Sequence, residues 1–189
     1  MTRTSVVYTA LTPQHFEAVI ALGNQVQGEN YLSQDSLSAM YEKGQHNNIN
    51  ASLVALIDDQ IAGFRLTYAP SHWDIDKWCT PGQWGVPADQ VCYFKCNTVA
   101  PDKQGLGIGS TLLAKSIEAS TKQGAVAGLA HIWLASPGNS AFKYFSKNGG
   151  KLIHVHPDKW REAAIYDGYD CPVCIGLCRC EGGEMLLRF

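Results

Sequence analysis

The run Gln104-Gly105-Leu106-Gly107-Ile108-Gly109 sets glycines at alternate positions directly ahead of Ser110-Thr111-Leu112-Leu113, a stretch with helical spacing. Glycine allows tight turns with no Cβ in the way, so successive backbone N–H groups can converge on one anion. A helix N-terminus adds unpaired donors and a partial positive charge. These residues read as a phosphate or pyrophosphate cradle, with a ligand-free glycine turn as the plainer alternative. A second constellation, Cys171, Cys174, Cys178 and Cys180, has the spacing Cys-x-x-Cys-x-x-x-Cys-x-Cys. Four thiols this close can form a tetrahedral zinc site, with Pro172 and Gly176 aiding the turns. The spacing lacks two well-separated Cys-x-x-Cys knuckles, so free or redox-labile thiols are the other reading.

Glycine spacing separates the phosphate ligands. A nucleoside-triphosphate loop requires Gly-Lys-Ser/Thr, but Gly109 is followed by Ser110 and Thr111. A dinucleotide fingerprint requires glycine or alanine where Ser110 stands and an acidic residue about twenty positions on. The chain reads Gly-Leu-Ala-His-Ile-Trp there. What survives is Gln-x-x-Gly-x-Gly, carried by Gln104, Gly107 and Gly109, with Val99-x-Pro101 just before it.

The whole chain constrains the partner. Its 189 residues are 46% hydrophobic and 17% charged, enough for one good core and hence one domain spanning 1–189. A net charge of -2 with no Lys/Arg-rich run argues against a nucleic-acid or anionic-membrane partner and for a small-molecule one. Met1 to Tyr8 has no apolar signal core, and the uncharged run from Gly124 to Phe142 is broken by His131, Pro137 and Asn139. A cytoplasmic protein is expected.

The elements that must carry the loop follow from spacing. Val6 to Thr9 predicts a strand, and Thr12-Pro13 offers a cap and a first-turn proline for a helix with Phe16, Val19, Ile20 and Gly23 on one side. Ser33 can cap a second helix bearing Leu37, Met40 and Tyr41, ended by Gly44. Leu53 to Ile57 and Ile61 to Leu66 flank Asp58-Asp59-Gln60 as a hairpin. Val91 to Val99 predicts a strand leading into the glycine loop, with Tyr93, Lys95 and Asn97 alternating onto one face. Leu112, Leu113 and Ile117 mark the next helix, closed by Gly124. A strand from Leu129 to Ala135 follows, then a helix capped by Asn139, carrying Phe142 and Phe145 and closed by Asn148-Gly149. Lys151 to His156 and Glu184 to Phe189 complete the order β-α-α-β-β-β-α-β-α-β-β.

The loop, its Val-x-Pro lead-in and this order resemble the GNAT superfamily of acyl-CoA-dependent N-acyltransferases over nearly the whole chain. The resemblance implies an α/β (α+β) fold with a single mixed, mostly antiparallel sheet flanked by helices. It implies acetyl-CoA in a V-shaped opening between the strands ending at Val99 and Ala135. Backbone near Thr98 and Val99 would meet the pantetheine arm, and amides from Gln104 through Gly105, Leu106, Gly107, Ile108 and Gly109 to Ser110 the pyrophosphate. Asn139 either bonds the cofactor or caps its helix, and Phe142 lies beside it as a cofactor contact or as core. Ala141 to Gly149 resembles the family's Tyr-x-x-x-Gly segment, but Phe145 stands where many members carry the tyrosine that protonates the departing thiolate. Tyr144 is the candidate acid, one residue and about 100° away on a helix, with an amphipathic edge role as the alternative.

An amine would attack the thioester directly, and it must be neutral to do so. No carboxylate occupies Val91 to Val99 to act as its base. His131, His154 and His156 are possible relays or structural residues, and Cys96 an acyl carrier or a small core residue. The acceptor, an amine of a small molecule or peptide, is expected to be chosen by Gln25 to Ser33 and by an aromatic insertion from 70 to 90. That insertion holds Trp73, Trp78 and Trp84 with His72, Asp74 and Asp76. It either presents aromatic faces and carboxylates to an ammonium group or simply covers the sheet. The Cys-rich loop from 167 to 183 precedes the last strand. Two other readings stand: a non-catalytic acyl-CoA-binding module, and a zinc or thiol redox protein on the same scaffold.

Overall fold

A computed structural model describes residues 5–189. Strand β1 (Val7–Ala10) is followed by helices α1 (Phe16–Gln27) and α2 (Gln34–Lys43), then a small hairpin, β2 (Gln45–His46) and β3 (Ile49–Asn50). Next come β4 (Leu53–Ile57), β5 (Gln60–Tyr68), β6 (Val91–Val99), α3 (Ile108–Lys122), β7 (Ala127–Trp133) and α4 (Ser140–Lys147). The chain ends with β8 (Lys151–His156), α5 (Arg161–Tyr166) and β9 (Gly182–Arg188).

Local chemistry accounts for most boundaries. Ser33 Oγ accepts from the Ser36 N–H at 3.1 Å while Ser36 Oγ accepts from the Ser33 N–H at 2.9 Å, a reciprocal cap that starts α2. Asp58 and Asp59 turn β4 into β5 at φ 49° and 61°, a left-handed pair that aspartate tolerates. Gly124, at φ +97°, ends α3. The hairpin β2–β3 and helix α5 were not expected from spacing; each is too short to show a period. The strand expected from Leu129 to Ala135 runs instead from Ala127 to Trp133, and the last strand begins two residues early, at Gly182.

The large sheet has the order β1-β4-β5-β6-β7-β9-β8. All its neighbours are antiparallel except β6 and β7, which run parallel and pair only through Val91–Ala127, Cys92–Gly128 and Tyr93–Leu129. Helices α1 and α2 cover one face, packing Phe16, Val19, Leu22 and Leu37 onto Val54, Phe64 and Leu66. The insertion continues that layer, with Trp84 fully buried against Val91, Ala127, Leu129 and Leu186. Helices α3 and α4 cover the other face through Leu112, Leu113 and Phe145.

One irregularity matters for the site. Leu66 pairs with Cys96 but Thr67 pairs with Phe94, so Lys95 is an extra residue in β6. Such a bulge bends its strand, increases the local twist and breaks side-chain alternation. Lys95 faces the insertion with Tyr93, and Cys96 packs on α1. Asn97 instead lies against Gly109 at the start of α3. The expectation that Tyr93, Lys95 and Asn97 share a face is therefore corrected: the bulge places Asn97 on the opposite side.

Candidate active site

The bulge coincides with the end of β6–β7 pairing. Beyond Tyr93 and Leu129 the strands part, so from Phe94 to Val99 the β7-facing edge of β6 has no strand partner. The side chain of Thr98 is turned away, its Oγ1 accepting from Gln27 Nε2 at 3.1 Å, so Thr98 and Val99 have only backbone to offer along this edge. At the mouth of the gap lies the glycine loop. Gly105 and Gly107 sit at φ +81° and +76° with nothing near the place of a Cβ. Gly107 is the residue before α3, and no side chain caps that helix. Since the Thr111 N–H is the first to return to the Gly107 carbonyl, those of Ile108, Gly109 and Ser110 have no partner within the helix. Gln104, Gly105 and Leu106 stand exposed around them, while the Ile108 side chain is buried and anchors the turn.

Gly109 serves close approach. A Cβ there would lie 3.3 Å from Asn97 Nδ2 and 3.5 Å from the Tyr144 ring. The Tyr144 hydroxyl donates to the Gly109 carbonyl at 2.7 Å and accepts from Arg65 Nη2 at 3.1 Å. Arg65, 2% exposed, lies over the Phe94 ring at 5.2 Å. Arg65 Nε and Asn97 Oδ1 are buried without a hydrogen-bond partner among the described residues. Polar capacity is thus held in reserve beside an open set of N–H donors, which fits a pyrophosphate-bearing ligand with an amide-rich arm.

Helix α4 forms the other wall. Phe145, 1% exposed, packs edge-on to Phe94 and is core. Phe142 and Tyr144 are half-buried beside it. The capping role expected of Asn139 is corrected: its side chain makes no cap bond, it sits at φ 54°, and Ser136 Oγ accepts from the Ala141 N–H instead. Its amide is exposed, still free to meet a ligand.

On the insertion side of the same gap lies a pocket of about 250 Å³. Lys95 and His131 stand on its two strand walls, and Trp73, Asp74 and Asp76 come from the insertion. Lys43, from the end of α2, and Lys159 complete its charged lining; among the described residues none of the three lysines forms an ion pair. Burial pulls the Lys95 and Lys159 ammonium groups below the usual lysine value, with Lys43 adding to it at Lys95 and Lys95 adding to it at Lys159. Lys43 and Lys159 carry no motif that marks them in the sequence; they reach the site from distant segments.

The histidines are structural here. Burial lowers His131 from 6.5 to about 4, so it is neutral. Its Nε2 is 2.5 Å from the Trp78 carbonyl and must donate, leaving Nδ1 to accept from the Tyr93 hydroxyl at 2.8 Å. His156 is buried on Glu184, and His154 is exposed. Glu184, fully buried, accepts from the Thr80 N–H and hydroxyl, Trp84 Nε1 and His156 Nε2 at 2.7–3.0 Å. Burial alone would raise this carboxyl, but its donors, led by the Thr80 N–H, hold it below the ordinary value. Ligand atoms of His131, His156 and Glu184 lie close enough for a metal, yet each already has protein partners. Trp73 Nε1 also donates into β6, at the Val91 carbonyl. Trp84 and Trp73 of the insertion thus pack on the sheet, while Trp73 also borders the pocket with Asp74 and Asp76. Cys96 is a buried core thiol.

The thiols of Cys171, Cys174, Cys178 and Cys180 come together between α5 and β9, packed on Trp133 at the end of β7, Trp160 and Tyr169.

Several solved structures share this architecture at low sequence identity. Ard1 from Thermoplasma volcanium aligns with a TM-score of 0.70 at 11% identity, covering 97% of each chain. The ribosomal-protein-S18-alanine N-acetyltransferase of Escherichia coli gives 0.68 at 14%, covering 97% of this chain and 94% of its own. The yncA protein of Salmonella typhimurium, solved with acetyl-CoA, gives 0.69 at 15%, covering 97% and 93%. No curated protein matches the chain in sequence. The sequence profile of the acetyltransferase (GNAT) family matches residues 17–149, and over this parted sheet and glycine loop the chain belongs to that family.

Proposed function

We propose that this chain is an N-acetyltransferase that uses acetyl-CoA and takes an acceptor bearing both an amine and an anionic group. The observation that carries the reading is the gap between β6 and β7, with the uncapped start of α3 on one side and the charged pocket on the other. Acetyl-CoA supplies an activated thioester, whose acetyl group passes to the amine as the carbonyl–sulfur bond breaks and the thiolate leaves. The N–H groups of Ile108, Gly109 and Ser110 would bind its pyrophosphate, and the free edge of Phe94 to Val99 its arm. Asn139 and Phe142 would border the arm from the α4 side.

In the pocket, Asp74, Asp76 and the face of Trp73 suit an ammonium group, while Lys43 and Lys159 suit a carboxylate or phosphate on the same molecule. Lys95, whose ammonium is destabilised by burial, is the group in the pocket best able to pass a proton away from the amine. Tyr144 is the candidate donor of the proton that the thiolate takes up, with Arg65 orienting its hydroxyl. Positioning of the two reactants across the gap supplies much of the rate. A cytoplasmic location belongs to the same proposal.

Calorimetric titration with acetyl-CoA, followed by thiol release against amines with and without a carboxylate or phosphate, tests the reading. Micromolar binding with turnover of zwitterionic amines is expected. Absence of binding overturns it, and binding without turnover of any amine supports the acyl-CoA-binding module instead.

A further inference from the structure

Between α5 and β9 the burial pattern is inverted. Val173, Ile175 and Leu177 are exposed, Ile175 completely, whereas Cys171, Cys178 and Cys180 are 1–5% exposed. Hydrophobic collapse would have turned the larger side chains inward. The thiols do not order the turn as disulfides: Cys171 and Cys180 Sγ are 3.7 Å apart and Cys174 and Cys180 Sγ 3.5 Å, against about 2 Å for a bond. All four Sγ atoms lie within 4.8 Å of one another. Sulfurs around a tetrahedral zinc, with Zn–S of about 2.3 Å, are spaced about 3.8 Å apart. The Arg179 N–H adds a donor to Cys174 Sγ at 3.4 Å, and donors to sulfur help hold thiolate charge.

We propose that Cys171, Cys174, Cys178 and Cys180 hold one zinc ion as a closed four-thiolate centre that fixes this segment against the acceptor pocket. Four protein ligands leave no open position, so the ion is structural and its binding releases the thiol protons. The centre is linked to the pocket through backbone. The Cys180 carbonyl accepts from the Lys159 N–H at 3.2 Å, and the Leu134 N–H donates to Glu181 at 3.1 Å. On the other side the segment abuts the end of α1: a Cβ at Gly28 would lie 2.8 Å from the Asp170 carbonyl. The ion thereby ties Lys159, the end of β7 and the α1–α2 connection to one point. The identity of the pocket as an acceptor site rests on the acetyltransferase reading; the metal centre does not.

Elemental analysis of the purified full chain, with thiol titration before and after chelation, tests it without any assay of activity. One zinc per chain and four thiols that become reactive only on chelation are expected, with tetrahedral thiolate bands on cobalt exchange. Cys174→Ser should lose the metal and Cys79→Ser should keep it. Because a cysteine variant can misfold, amide exchange is also compared in the zinc-bound and chelated native sequence. Faster exchange confined to Gly28–Leu32 and Lys159–Glu181 supports the brace. Iron in place of zinc, or four reactive thiols and no metal after anaerobic zinc addition, overturns the centre; unchanged exchange on chelation overturns the brace.

Discussion

Gly107 combines a left-handed backbone with open space around it, so a side chain there meets no protein atom. Gly107→Val is expected to abolish acetyl-CoA binding by calorimetry, because the side chain stands where the anion approaches. It should cost only about 1–2 kcal/mol of stability, the price of a left-handed residue with a Cβ. Tyr144 poses the opposite case, since its hydroxyl has two partners in the resting protein. As the acid, Tyr144→Phe should lower kcat about 100-fold with little change in acetyl-CoA affinity; a lowered melting temperature with normal kcat would assign it to holding Gly109. The tight turns of the glycine loop were legible in the sequence because they are set by local backbone geometry. Lys43, Arg65 and Glu184 were not, because each becomes meaningful only beside residues brought to it by the fold.

At the level of elements, strands and helices with clear periods were readable, and their caps at Ser33 and Gly124 were too. The bulge at Lys95 was not: Val91 to Val99 alternates in sequence as a regular strand would, and only its register with β5 exposes the extra residue. Lys95 deletion would restore regular pairing with Cys96 to Val99 kept on their present faces, removing the bend where β6 leaves β7, so weaker acetyl-CoA binding by calorimetry in a folded protein is expected. The insertion is held by buried polar groups, which makes its docking pH-dependent. His131, lowered to about 4 in the fold, stabilises it fully above 6.5, and that contribution is lost as pH falls from 6.5 toward 4. The shift is worth about 3 kcal/mol. The lowered carboxyl of Glu184 acts in the same sense: its contribution, present above the ordinary carboxylate value, disappears as pH drops through the lowered one. Urea midpoints should therefore fall between pH 6.5 and 4, and His131→Gln should flatten that slope.

For the whole molecule, the mixed sheet came from the family resemblance that the glycine loop and the order of elements carry, and the structure has it, with the single parallel step across α3. The separation of two faces, with α3 and α4 on one and the charged pocket on the other, required the sheet itself. The sheet is also unequal in its joints. Residues 7–99 and 127–188 form two antiparallel sets of strands, joined in the sheet by only three residue pairs between β6 and β7.

That short joint makes the ligand a mechanical member of the molecule. Whatever lies along the free edge of β6 stands in for the missing stretch of strand and adds main-chain bonding to two halves that otherwise meet through three strand pairs and side-chain packing. Acetyl-CoA should slow amide exchange at Phe94 to Val99 more than elsewhere, and two fragments divided within the glycine loop should reassociate more tightly when it is present.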